Sequence, residues 1–223
     1  MKLAIFDFDG TLFSQEILPF FLSHWGKSKY SKVKYLKTYA SLIPLYIKYK
    51  FGLKSNMSRE QMKITAMEKF NYIFDGMIES EIMEFFIDCS KVIKDHLNET
   101  IVFEVRKAQS EGYHTVLLSG TYYSFLKYIG EYVGFDTVIG TEIHFKNGII
   151  DLTKKPKIIS GVLKLEKTME EFEGKSIDWD ASEAYADSYS DLHILESVGE
   201  PVAVNPDDKL RSIAIKNSWR IIS

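Results

Sequence analysis

The N-terminal stretch constrains the fold more than any other: Lys2-Leu3-Ala4-Ile5-Phe6-Asp7-Phe8-Asp9-Gly10-Thr11 is an apolar run that delivers two carboxylates, one residue apart, into a Gly-Thr turn. A run of this kind, rich in Ile and Phe and closed by a turn residue, predicts a strand buried on both faces, as in a parallel sheet. Open α/β sheets bind ligands at the carboxyl ends of their strands, which is where Asp7 and Asp9 fall. Two acids held together repel unless a cation or a shared proton relieves them. Mg2+ is the natural relief, because hard cations take oxygen ligands.

Downstream the texture changes twice. Residues 14–96 are dense in Phe, Tyr, Met, Lys and Glu at helical spacing and lack strand-like alternation, which predicts an all-helical insertion. Ile17, Phe20, Phe21, His24 and Trp25 form a first apolar stripe that Gly26 would end. Ser58-Arg59-Glu60-Gln61, followed by Met62, Ile64, Met67 and Phe70, reads as a capped helix. Ile82, Phe85, Phe86 and Cys89 repeat the pattern, and all three stripes read as core rather than as a cofactor site. From residue 99 helices alternate with short apolar strands, the mark of a parallel sheet. Helices are predicted at 101–109, 122–132, 162–172, 189–198 and 208–216, and strands at 113–118, 137–139, 183–187, 202–204 and 219–222. Alternation around Asn147-Gly148 predicts a hairpin. The expected fold is therefore α/β, a Rossmann-like parallel-sheet core of residues 1–13 and 97–223 with a helical cap of residues 14–96 inserted after the first strand.

Size and charge narrow the function. With 223 residues, 45% of them hydrophobic, the chain is long enough for one sizeable core and a satellite domain. A net charge of -3 gives no basic face, so nucleic acid is not expected as a partner. Cys89 is the only cysteine, which rules out an intrachain disulfide or a thiolate metal cluster and fits a reducing cytoplasm. Asp7 and Asp9 interrupt the first apolar run too soon for a signal sequence. The longest uncharged aromatic-aliphatic stretch, 38–47, falls short of the roughly 20 residues of a spanning helix. It reads as a core or interface segment, so no membrane span is expected. The five histidines show no metal-ligand spacing. A cytoplasmic monomer or homodimer is expected.

Four segments, in order, carry a resemblance to a known family. Asp7-Phe8-Asp9-Gly10-Thr11 resembles the nucleophile motif of the haloacid dehalogenase-like superfamily. Leu117-Leu118-Ser119-Gly120-Thr121 resembles its second motif, a buried strand ending in a hydroxyl. Lys164, in Gly161-Val162-Leu163-Lys164, stands at the head of a charged helix, and Ala184-Tyr185-Ala186-Asp187-Ser188-Tyr189-Ser190-Asp191 is a short strand ending in two acids four residues apart. The resemblance implies a Mg2+-dependent phosphomonoester phosphatase working through an aspartyl-phosphate. Asp7 would be the nucleophile and Asp9 the general acid-base, its carbonyl also a metal ligand. Gly10 would let backbone N–H groups approach the phosphate, and Thr11 would cap the next helix or orient Asp9. Ser119 and the Gly120 N–H would hold the phosphoryl group, and Lys164 would be its counter-charge. Asp7, Asp9, Asp187 and Asp191 form the implied metal set, Asp191 by orienting metal-bound water or by steadying Lys164. Each of these has a plainer reading: Ser119 as a strand-ending turn residue, Lys164 as part of a solvated face, and Asp191 as an acid at a helix start.

The closest branch in pattern is that of the phosphoserine phosphatases, whose helical cap follows the first motif. Glu16 follows Asp7 at the spacing where that branch has a glutamate facing the substrate amine, and equally reads as a surface acid near a helix start. Arg59 is the only arginine in 14–96, and Ser190 stands where the branch usually carries a polar amide. The implied substrate is a small phosphorylated metabolite, phosphoserine-like, a phospho-amino-alcohol or a lipid-like phosphate. A phosphotransferase or phosphomutase would use Asp7 in the same way. A non-catalytic phosphate-binding module would be expected to lack one of Asp7, Asp9, Lys164 or Asp187, and all four are present.

Overall fold

The computed structural model describes residues 1–51 and 57–223. The stretch 52–56, inside the expected cap, lies outside the described residues.

The first strand, β1 (Leu3–Phe6), is buried along its whole length. Four helices follow it: α1 (Ile17–Lys27), α2 (Lys32–Phe51), α3 (Arg59–Asn71) and α4 (Glu79–Ile93). Then α5 (Glu99–Ser110), β2 (His114–Tyr122), α6 (Tyr123–Val133) and β3 (Thr137–Thr141) begin the alternating half. A small hairpin, β4 (Phe145–Lys146) and β5 (Ile149–Ile150), turns at Asn147-Gly148 as the alternation predicts. The chain closes with α7 (Val162–Glu171), β6 (Glu183–Ala186), α8 (Leu192–Leu195), β7 (Glu200–Val204), α9 (Asp208–Lys216) and β8 (Arg220–Ile222).

The main sheet has the order β3-β2-β1-β6-β7-β8, and every neighbouring pair is parallel. Phe6, Leu117, Tyr185 and Val202 pack on one face of it, and Leu3, Ile5, Val116, Leu118 and Ala184 on the other. A strand buried on both faces has no polar side to alternate with, which is why β1 reads as an unbroken apolar run. Phe6 pairs with Leu117 on β2 and with Tyr185 on β6, so the carboxyl ends of the three central strands lie abreast. That register brings the first, second and fourth sequence motifs to one edge of the sheet.

The helices between β1 and α5 bury their aromatic stripes against this core. Phe21, Trp25, Phe70, Phe74, Phe85 and Phe86 are fully buried. Phe21 meets Phe125 of α6 edge-on at 4.9 Å between ring centroids, and Phe86 meets Tyr122 at 5.3 Å. Aromatic pairs of this geometry contribute roughly 0.5–1.5 kcal/mol each beyond area burial. Ser58 caps α3, its Oγ accepting the Gln61 N–H at 3.1 Å while the Gln61 side chain accepts the Ser58 N–H at 3.1 Å.

Four local expectations give way to packing. Gly26 does not end α1; it lies inside the helix, where a Cβ would come 2.9 Å from the Tyr35 ring. The second strand does not stop at residue 118 but runs on to Tyr122, with a register shift against β3 between Leu118 and Tyr122. The helix expected at 189–198 is a 3-10 turn, Tyr189–Asp191, followed by the four residues of α8. Stretch 38–47 lies within α2, of which only Thr38 and Leu45 are buried, so it is not core.

Candidate active site

Asp7 directly follows β1, and its N–H donates to the Tyr185 carbonyl at 2.9 Å, continuing the pairing with β6 one residue past the strand. Asp187 directly follows β6. Lys164 is the third residue of α7, and its Nζ lies 2.7 Å from Asp7 Oδ1 and 2.6 Å from Asp191 Oδ1. These four residues are at most 7% exposed. One carboxylate oxygen from each of Asp7, Asp187 and Asp191 lies within 4.8 Å of the others. Lys164 is the one cation inside this group, with Arg59 reaching Asp187 from its edge, and buried carboxylates crowded this closely repel unless a proton or a cation relieves them. Burial pushes the Asp7 carboxyl up to about 8 against the pull of Lys164, and the neighbouring acids add to the rise. Burial also raises Asp187, opposed by Lys63 and Arg59. Asp191 and Asp7 outweigh the cost of burying Lys164 and hold its ammonium above the ordinary range. Asp187 Oδ1 is buried with no hydrogen-bond partner among the described residues. An all-oxygen set with an unpartnered buried carboxylate oxygen fits a hard divalent cation.

The Asp9 carboxylate stands apart from that group. Its Oδ1 accepts the Ile17 N–H at 2.7 Å, which ties the start of α1 to the site, and its Oδ2 accepts from Ser119 Oγ at 3.3 Å. Burial raises Asp9 to about 6, with Lys63 pulling it down. A carboxyl near 6 suits proton transfer at neutral pH. Ser119 is inside β2 rather than at its end, and its Oγ also accepts the Thr121 N–H at 3.1 Å.

Gly10 itself donates its N–H to the Phe13 carbonyl at 2.7 Å. Its φ is +80°, and a Cβ there would fall 2.4 Å from Asp187 Oδ2, so glycine is what lets the two motifs close on each other. Thr11 neither caps α1, whose N-cap is Glu16, nor bonds Asp9; its buried Oγ1 has no partner among the described residues. Gly120 approaches the Ile159 carbonyl, which a Cβ would meet at 2.8 Å, and Ser190 Oγ lies 2.5 Å from Ser188 Oγ; Gly120, Ser188 and Ser190 line a cavity that opens above Asp7 and Lys164.

The first turns of α3 cross the mouth of the site. Arg59 donates to Glu16 Oε1 at 2.8 Å and to Asp187 Oδ2 at 3.0 Å, and lies 3.5 Å from Asp207. Lys63 Nζ is 2.9 Å from Glu16 Oε1. Burial works to raise the Glu16 carboxyl, but Lys63 and Arg59 prevail and hold it below the usual carboxylate range. Ser160 Oγ donates to Glu60 Oε1 at 2.9 Å, pinning the same helix end to the loop before α7. Glu16 is therefore part of an ion-pair cluster rather than a lone surface acid. Lys63, Glu60 and Asp207 escaped the sequence reading. The signal for Lys63 was its i,i+4 spacing from Arg59 on a capped helix, which puts both on one face.

Comparison with known proteins gives a consistent picture. A family model described as haloacid dehalogenase-like hydrolase matches residues 4–196. A Mycobacterium tuberculosis protein named phosphoserine phosphatase SerB1 is 30% identical over 110 residues, 49% of this chain and 36% of that protein. A histidinol-phosphatase of Neisseria meningitidis is 26% identical over 231 residues, covering 100% of this chain and 98% of that protein. The chain spans less than half the length of the first curated relatives it matches. Among solved structures, a phospho-aspartyl intermediate analogue of a phosphoserine phosphatase superposes with a TM-score of 0.62 at 20% identity, covering 99% of this chain and 92% of that one. At that identity the likeness is one of fold.

Proposed function

Because the chain belongs to the haloacid dehalogenase-like hydrolases, we propose that it is a Mg2+-dependent phosphomonoester phosphatase acting through phospho-Asp7, with residues 14–96 as the cap over a core of 1–13 and 97–223. The observation that carries this reading is the buried group of Asp7, Lys164, Asp187 and Asp191 at the carboxyl edge of the central strands.

These residues would divide the work among them. Lys164 holds Asp7 Oδ1, which leaves Oδ2 to attack phosphorus. As the bond from Asp7 to phosphorus forms, the bond from phosphorus to the alcohol oxygen breaks, and Asp9 gives its proton to that oxygen. Water then attacks the phosphorus of phospho-Asp7, Asp9 takes the proton back, and inorganic phosphate leaves with Asp7 restored. Ser119, 3.3 Å from Asp9, donates to the equatorial oxygens together with the Gly120 N–H. Lys164 offsets the charge that builds on those oxygens. Asp7, Asp187 and Asp191, with the Asp9 carbonyl, would hold Mg2+, which when bound neutralises charge on the phosphoryl group. Asp191 meanwhile fixes the Lys164 ammonium at 2.6 Å.

The test is release of inorganic phosphate from phosphoserine, histidinol phosphate, phosphoethanolamine and p-nitrophenyl phosphate, with and without Mg2+. Metal-dependent release that disappears in Asp7→Asn is the expected result. Turnover that consumes the ester without releasing phosphate would instead indicate transfer to an acceptor other than water.

A further inference from the structure

The cavity above the catalytic edge has two unlike ends. Asp7, Ser119 and Lys164 lie at its floor, while Leu18 and Leu22 of α1, Ile43 and Tyr46 of α2, and Met62 of α3 form its walls. Its volume is about 500 Å3, within the range of sites that enclose whole small molecules. The charged side chains on the wall, Glu16 and Lys63, are spent on each other, and Glu16 also on Arg59. An ammonium or carboxylate on the alcohol of the substrate therefore meets no unpaired partner there among the described residues. An alkyl chain meets apolar surface.

The helix beside this opening leaves much of its apolar surface uncovered. Of its twenty residues only Thr38 and Leu45 are buried, and Val33, Leu36 and Phe51 are each more than 60% exposed. Tyr39, Ile43, Tyr46 and Ile47 of the same helix, each more than 40% exposed, line the cavity, where a chain extending from the phosphate would cover them.

We propose that the substrate is an amphiphilic phosphomonoester, a phosphate borne at the end of an aliphatic chain, with the chain lying between α1, α2 and α3. This rests on the phosphatase reading above and names the alcohol it acts on. Burying a chain that makes no contact with the reacting atoms stabilises ground and transition states alike, so the effect falls on kcat/KM.

The experiment compares n-alkyl phosphates from methyl to octyl, below the concentration at which they form micelles, with p-nitrophenyl phosphate as reference. kcat/KM is expected to rise about fourfold per methylene until the chain fills the cavity, the ratio that corresponds to about 0.8 kcal/mol per buried CH2. Ile43 is 42% exposed on the cavity wall, so Ile43→Glu should fold as the parent does, which its thermal transition checks. That variant is expected to lose at least tenfold more on octyl phosphate than on methyl phosphate. A series flat within twofold, in an enzyme that turns over p-nitrophenyl phosphate, overturns the proposal and leaves the phosphatase reading standing. So does an Ile43→Glu variant that slows methyl and octyl phosphate equally. If no ester releases phosphate, the phosphatase reading falls. Calorimetric binding of the inert n-alkylphosphonates then decides the cavity separately: affinity that tightens with chain length and is lost in Ile43→Glu supports an amphiphile site, and affinity indifferent to chain length rejects it.

Discussion

Adding one methyl group at Gly10 tests how the site is assembled. The residue sits at φ +80°, and a Cβ there would lie 2.4 Å from Oδ2 and 2.5 Å from Cγ of Asp187. Placing an L-residue in the left-handed region costs roughly 1–2 kcal/mol. Forcing a methyl group into a close-packed neighbourhood costs typically about 1–3 kcal/mol more. Asp187 has little room to yield, because Arg59 holds its Oδ2 at 3.0 Å and the Asp207 N–H holds its main-chain carbonyl at 2.9 Å. Gly10→Ala is therefore expected to lose about 2–5 kcal/mol of unfolding free energy and to push the Asp187 carboxylate away from Asp7 and Asp191. Gly112→Ala separates the two contributions, since Gly112 has φ +78° and nothing within 4 Å of a built Cβ. Urea denaturation at constant m-value measures both variants, and phosphate release measures the consequence at the site. Gly112→Ala should lose about 1–2 kcal/mol with full turnover. Gly10→Ala should lose at least about 1 kcal/mol more, with phosphate release down roughly 100-fold, the scale set by misplacing a catalytic group by about an ångström. Equal destabilisation of the two variants, or wild-type turnover in Gly10→Ala, would refute the account of Gly10 as the contact that lets the first and fourth motifs meet.

Two further outcomes follow from the same geometry. Asp9→Asn should lower kcat/KM, which reports the step that expels the alcohol, by roughly 10²–10⁴-fold for alkyl esters and much less for p-nitrophenyl phosphate, whose leaving oxygen needs no proton; equal losses of kcat/KM on both would remove Asp9 from the acid role. Arg220, with help from the Tyr185 hydroxyl, holds the buried Glu104 carboxyl below its usual 4.5. That stability is present above the unfolded-state value and is lost as pH falls through the lower folded value. Glu104→Gln should therefore cost about 1 kcal/mol at neutral pH, the low end for a charged hydrogen bond with a half-exposed partner, and the cost should vanish in acid. A penalty that does not change with pH in denaturant titrations would show that packing, not charge, is what the residue supplies.

How much was legible in the sequence depended on whether a feature is decided locally. The two acids after β1 and the pair in 187–191 could be placed because each follows its own strand within a residue or a turn, and a strand buried on both faces announces itself in a short window. The Ser58 cap and the Asn147-Gly148 hairpin are likewise settled within a few residues. The extension of β2 to Tyr122 is not. It depends on Thr141 Oγ1 donating to the Gly120 carbonyl at 2.7 Å and on Tyr122 packing into the aromatic cluster with Phe86, contacts that lie far along the chain. The broken helix at 189–198 has a similar cause. A 3-10 turn stacks residues three apart, which lets Ser188 Oγ reach Asp191 Oδ2 at 3.3 Å while Asp191 turns its other oxygen to Lys164.

The same distinction separates the floor of the site from its walls. Asp7, Asp187 and the strand that carries Ser119 are fixed by the register of three parallel strands, so any sequence that forms this sheet delivers them together. Arg59 reaches Glu16 across 43 residues and Asp187 across 128, contacts that exist only for one rotation of α3 over the sheet. That rotation is set by neither cap nor stripe alone. The buried Met67 and Phe70 hold one side of the helix down, and Glu60 bound to Ser160 holds its end. With both in place, positions 59 and 63, one turn apart, face the acids. The residues at the strand ends are thus specified by short motifs, whereas the walls above them belong to helices whose placement only the assembled core decides.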